Sequence, residues 1–124
     1  MDKPEHLEIT EDYARIQLES EPSLEERTAV VAQAIAFCRE QKIRRLLVNG
    51  LQTAGIDIPS VVDRYWAMQE WGELSEWVVS VAVVMPQEYI DPEKVGVLFA
   101  ENARCKTNAF TSEPEALEWL LAQN

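Results

Sequence analysis

The stretch TNAFTSEPEALEWLL, from Thr107 to Leu121, constrains this chain most. A short apolar strand candidate runs into Ser112, and an amphipathic helix starts there. Ser112 and Glu115 have the S-x-x-E spacing of a capping box, in which each side chain accepts a backbone N–H from the other's end of the turn. Leu117, Leu120 and Leu121 then recur at helical spacing. The same strand–cap–helix unit occurs upstream, so the chain is expected to alternate strands and helices.

Leu7 and Ile9 alternate with Glu8 and Thr10, and Ile16 and Leu18 alternate with Arg15 and Gln17. Period two predicts two strands with one polar face each. Glu11 and Asp12 between them suit the turn of a hairpin. Ser23 and Glu26 form a second capping-box pair. The helix after them carries a stripe of Val30, Val31, Ala34, Ile35 and Cys38 and runs to about Gln41. RRLLVN, Arg44 to Asn49, reads as a strand covered on both faces. A loop follows, GLQTAGIDIP, and Ser60 with Asp63 caps a third helix, Val61 to about Trp71, with Gly72 as its stop. Val78 to Met85 is the most strand-like run, and Pro86 closes it. Asp91 and Pro92 open a fourth helix through Val95, Leu98, Phe99 and Asn102.

This order predicts one α/β domain over residues 1–124: a mainly parallel sheet with an N-terminal hairpin and about four helices. A chain of 124 residues can bury a core without disulfide or metal staples. No apolar run approaches the roughly 20 residues of a membrane span. The N-terminus, MDKPEHLEIT, is acidic and polar, unlike a signal peptide. A cytoplasmic location is expected.

The formal net charge of −11 opposes binding to nucleic acid or anionic lipid. The one basic cluster is Arg39, Lys42, Arg44 and Arg45. It falls where a helix ends and a strand begins, so it complements a helix C-terminal dipole or docks an acidic partner. Cys38 and Cys105 lie among apolar neighbours and read as small buried hydrophobes, although Arg104 and Lys106 would favour a thiolate at Cys105. The single histidine, His6, has no companion at metal-ligand spacing and no serine or cysteine partner for nucleophilic catalysis. No metal, cofactor or enzymatic activity is expected. Gly50 and Gly55 lie in a loop at the carboxyl end of a strand, where ligands gather in open α/β sheets. Neither phosphate-loop pattern is present there, so the loop reads as a structural turn.

The third helix carries Tyr65, Trp66 and Met68, then Trp71, with Trp77 just beyond. At 100° per residue these side chains cover more than one face. Part of the set is therefore expected outside the domain core, as an interface or as the wall of an apolar pocket.

The element order, with the ending Phe110, Thr111, Ser112, Glu113, Ala116, Trp119 and Leu120, resembles the STAS-like group of bacterial anti-sigma-factor antagonists and their relatives. It is most similar to a divergent, mostly uncharacterised bacterial branch of that group. The resemblance implies a small strand-first α/β fold and a non-enzymatic protein-interaction or regulatory role. In the antagonists a hydroxyl after a central strand is phosphorylated by a partner kinase. The corresponding segment here, Asn49 to Ser60, lacks their motif, and its hydroxyls are Thr53 and Ser60. Ser60 also reads as a plain helix cap. A likeness in outline to CRAL-TRIO lipid-transfer domains implies a small apolar or lipid-like ligand. The leading expectation is a homodimeric interaction module. A small-ligand binder comes second and a phosphoregulated switch third.

Overall fold

The structure is a computed structural model and describes residues 2–18, 23–52, 59–76, 78–90, 94 and 106–123. Strands β1 (Leu7–Ile9) and β2 (Ala14–Gln17) precede helix α1 (Leu24–Glu40). Strand β3 (Arg45–Asn49), helix α2 (Val61–Ser75), strand β4 (Ser80–Val84) and a 3-10 turn (Gln87–Tyr89) follow. Strand β5 (Lys106–Phe110) and helix α3 (Glu113–Leu121) complete the described elements. The fourth expected helix, with Cys105 after it, lies outside the described residues.

The five strands form one sheet in sequential order, β1-β2-β3-β4-β5. Strands β1 and β2 are antiparallel, as the hairpin reading required, and β2 through β5 are parallel. Sequential parallel strands with crossovers of one hand place the connecting helices on one face. Helices α1 and α2 share that face. Val31, Ala34, Ile35 and Cys38 of α1, with Met68 and Trp71 of α2, pack there with Ile16, Leu46, Val48 and Val81. Helix α3 takes the opposite face, where Ala116 and Leu120 pack with Leu47, Ala82 and Val84. The consecutive apolar run of β3 is thereby explained: Leu46 and Val48 face one layer and Leu47 the other, all fully buried.

Two arginines bracket α3. At its N-terminal end, Arg15 of β2 donates to Glu113 Oε1 from Nε at 3.0 Å, with its other guanidinium nitrogen at 2.9 Å. At its C-terminal end, Arg45 of β3 donates from two nitrogens to the Gln123 carbonyl, at 3.1 and 2.7 Å. A carboxylate at the amino end and a cation at the carboxyl end both complement the helix dipole. The basic cluster is thus divided. Arg45 serves α3, whereas Arg39, in the last turn of α1, pairs with Glu76 at 2.7 Å and the Leu74 carbonyl at the end of α2.

Serine begins each of the three described helices. Ser60 and Asp63 form the complete reciprocal box, both bonds at 3.0 Å. Ser23 and Ser112 accept from the Glu26 and Glu115 N–H, but neither glutamate returns a bond to its serine. Gly72 does not end its helix. It is buried inside α2, which runs one turn further to Glu76 in the left-handed region. Strand β4 is also shorter than the apolar run suggested, because Val78 lies outside it and is exposed.

Helix α1 closes with a Schellman motif. The Ile43 N–H reaches the Cys38 carbonyl at 2.7 Å and the Lys42 N–H reaches that of Arg39 at 3.2 Å. The motif needs a left-handed residue, and here it is an exposed lysine, Lys42, at φ 63°. That conformation costs a side chain about 1 kcal/mol or more, and glycine nothing. Lys42→Gly should therefore raise the unfolding free energy by about 1 kcal/mol, read from urea denaturation. A drop in stability would mean that the lysine side chain has a stabilising role.

Candidate functional site

Helix α2 separates the aromatic group. Met68 and Trp71 turn inward and are buried, while Tyr65 and Trp66 point outward at 40% and 65% exposure. Val61 and Val62, one turn earlier, are exposed at 55% and 62%. Positions 61, 62, 65 and 66 fall within 140° of arc at 100° per residue, so they form one outward apolar face. Tyr65 and Trp66 meet edge to face, 5.3 Å between centroids. Trp77 and Thr53 lie outside the described residues.

The inward side of α2 closes a cavity of about 160 Å³ against α1 and the sheet. Val31, Val48, Met68, Trp71 and Val83 supply apolar wall, and Tyr89 lies at the end of the turn after β4. The charged residues among its described lining are Arg27, Asp63, Arg64 and Lys94.

Arg27 is the least expected of these. It is 3% exposed, with its guanidinium carbon 5.8 Å from the Tyr89 ring centroid, within cation–π range. It stands four residues before Val31 and seven before Ala34, on the stripe that buries α1. An arginine in phase with an apolar stripe is therefore the sequence signal for it. Gly50 makes room for it. A Cβ there would lie 3.2 Å from the Val84 carbonyl oxygen and 3.3 Å from an Arg27 nitrogen. The glycine is thus fixed by close approach, and a cation from α1 stands at the carboxyl end of β3 where the loop itself offers none.

Arg64 donates to the Tyr89 carbonyl at 3.1 Å, tying α2 to the turn after β4. Lys94 donates to Asn108 Oδ1 at 2.9 Å. Asp63 accepts from the Ser60 backbone and exchanges the cap bond, and these bonds hold its carboxyl below the usual range. The Trp71 indole N–H is buried and has no hydrogen-bond partner among the described residues. Burial pushes the Cys38 thiol up to about 12, so it is a packing residue without thiolate character.

On the α3 face, polar side chains gather at the carboxyl ends of β2 and β3. Glu113 Oε1 accepts from Asn49 Nδ2 at 2.8 Å as well as from Arg15, and Asn49 Oδ1 accepts from the Leu51 N–H at 3.0 Å. Arg15 also donates to Gln17 at 3.0 Å. Burial would raise the Glu113 carboxyl, but the bonds from Asn49 and Arg15 and the charge of Arg15 hold it below the usual value. A polar recess of about 290 Å³ beside this network is lined by His6, Glu8, Arg15, Gln17 and Gln52. The network fixes α3, and its cation is already matched by Glu113. No group of three or more metal-ligating side chains occurs among the described residues, and no helix there is long and apolar enough to cross a membrane.

Ser60, the better-placed hydroxyl for modification, is exposed and is the cap of α2. A phosphate on it would break the complete capping box and stand beside the Asp63 carboxylate.

No protein-family model matches the chain, and a search of the curated proteins finds no match.

Proposed function

We propose that this chain is a non-enzymatic interaction module of STAS-like fold that pairs with a second copy of itself through the outer face of α2. The observation that carries this reading is the contiguous apolar face of Val61, Val62, Tyr65 and Trp66, with Trp66 at 65% exposure. Aromatic side chains concentrate at interface centres, where they bring large contact area at small entropic cost. A two-fold contact would cover the same four side chains on both copies at once. The strand-first order, with a parallel sheet between helices on both faces, supports the fold assignment. The engagement of the Ser60 hydroxyl in its own capping box, beside the Asp63 carboxylate, disfavours a phosphoregulated switch there.

The test is native mass. The wild type is expected at about twice the chain mass of 14.1 kDa. Val62→Glu with Trp66→Glu is expected to return it to a single chain with unchanged circular dichroism. Trp71 is unsuitable for this test, since a charge at a buried site would unfold the helix. A wild type that runs as a single chain at high protein concentration would rule the pairing out.

A further inference from the structure

The cavity between α1, α2 and the sheet is independent of the outer face of α2, and the geometry points to a binding site there for a small uncharged apolar molecule about the size of a single aromatic ring. Three observations converge on that class. The first is position. Val48 in β3 and Ala109 in β5 line the cavity, as do Leu18 and Met85, just past β2 and β4. These strands run parallel, so the space lies at their shared carboxyl end. Ligands of open α/β sheets gather at that edge. The second is size. At about 160 Å³ the space matches an apolar protein cavity of about 150 Å³ that takes benzene, and it is too small for a long acyl chain. Protein interiors pack to the density of organic crystals with few voids larger than a water molecule, so a space of this size is a departure from ordinary packing.

The third is the chemistry of the wall. Val31, Val48, Met68 and Val83 offer an apolar surface. Water is poorly held at such a surface, because it needs several polar partners. Each charged side chain among the described lining residues already has a partner within the chain. Arg64 donates to the Tyr89 carbonyl, and Arg27 lies over the Tyr89 ring. Both arginines have further partners as well. Asp63 is held in the cap of α2, and Lys94 donates to Asn108. The Thr107 hydroxyl, also on the wall, donates to the Val81 carbonyl at 2.9 Å. A charged ligand would have to draw one of these groups from its present partner or bury its own charge unpaired, which is costly. An uncharged apolar ring leaves water without asking anything of them.

Toluene, benzoate and palmitate separate these features. Each is titrated into the full chain, with binding followed by calorimetry and by the Trp71 indole N–H resonance, assigned with Trp71→Phe. Trp71 lines the cavity, so the ring current of a bound aromatic moves that resonance directly. Toluene is expected to bind and to shift it, with benzoate about tenfold weaker or more. Palmitate is expected to leave it in place. Ala67, one turn before Trp71 on α2, also lines the cavity. Ala67→Phe fills the space and is expected to abolish toluene binding with unchanged circular dichroism. Ala67→Leu adds less volume and is expected to weaken toluene about tenfold, which keeps the test decisive if the larger side chain unfolds α2. Failure of toluene to move the Trp71 resonance overturns the site, as does wild-type affinity in Ala67→Leu. Benzoate binding as tightly as toluene overturns the uncharged class, and palmitate binding more tightly overturns the size limit.

Discussion

Leu120→Ala should lower the unfolding free energy by about 3 kcal/mol, the middle of the range for a fully buried leucine truncated in a core. Leu120 is wholly inaccessible and packs with Leu47, Ala82 and Val84 on a face of the sheet that α3 covers. Helix α3 has nine residues, too few to persist in water by helical propensity alone. Its order depends on docking, and Leu120 is the largest fully buried side chain on it. Native domains are stable by about 5 to 15 kcal/mol in total, so this single truncation removes a large share. Leu121, the next residue, is 41% exposed. Leu121→Ala should stay within about 0.5 kcal/mol of wild type, as surface changes do. Urea denaturation of the two variants side by side gives the comparison. Equal losses would mean that α3 does not seat with Leu120 inward.

Glu113→Ala should cost about 1 to 2 kcal/mol, because it takes the shared acceptor from both Arg15 and Asn49. The figure sits at the low end for a charge-assisted pair, since the Glu113 side chain is 35% exposed and solvent screens it. The same network predicts a pH dependence. The Glu113 carboxyl is held below its ordinary value of 4.5 in the folded protein. Its ionised form is therefore favoured by folding, and that stabilisation is present in full above pH 4.5 and lost as pH falls through the lowered value. Glu113→Gln has no such titration. The stability gap between wild type and Glu113→Gln should be widest above pH 4.5 and should narrow as the pH drops below it. A gap that is constant with pH would show that the carboxylate charge has no role in holding α3.

The elements with clean periodicity were legible from the residues alone. The hairpin, α1, β3 and the closing strand and helix follow from alternation, stripes and caps, and their pairing follows from strand–helix order. Helix α2 resisted because it is apolar on two sides. Val61, Val62, Tyr65 and Trp66 satisfy no core, so no single stripe emerges, and only the fold tells which aromatics turn inward. Gly72 misled because a glycine next to a helix end reads as a stop, whereas here it is buried inside the last turn. The charge partners were invisible for a different reason. Arg15 and Glu113 are 98 residues apart in sequence and Arg45 and Gln123 are 78 apart, and no local pattern links them. The cavity shares this property. Its arginines come from two helices and its wall from three strands, so only tertiary structure assembles it.

The sequential strand order also sets an order of events during synthesis. Each parallel unit adds beside its predecessor, so β1 through β4 and helices α1 and α2 can assemble in the order in which they are made. Among the described residues, the helix that covers the opposite face of that growing sheet, over Leu47, Ala82 and Val84, is made only when residues 113–121 exist. A nascent chain stopped before Glu113 would thus hold all five strands but lack the helix that packs on Leu47, Ala82 and Val84, and exposed apolar surface of that kind is what chaperones bind and what drives aggregation. The two arginines waiting on β2 and β3 mark where α3 must land.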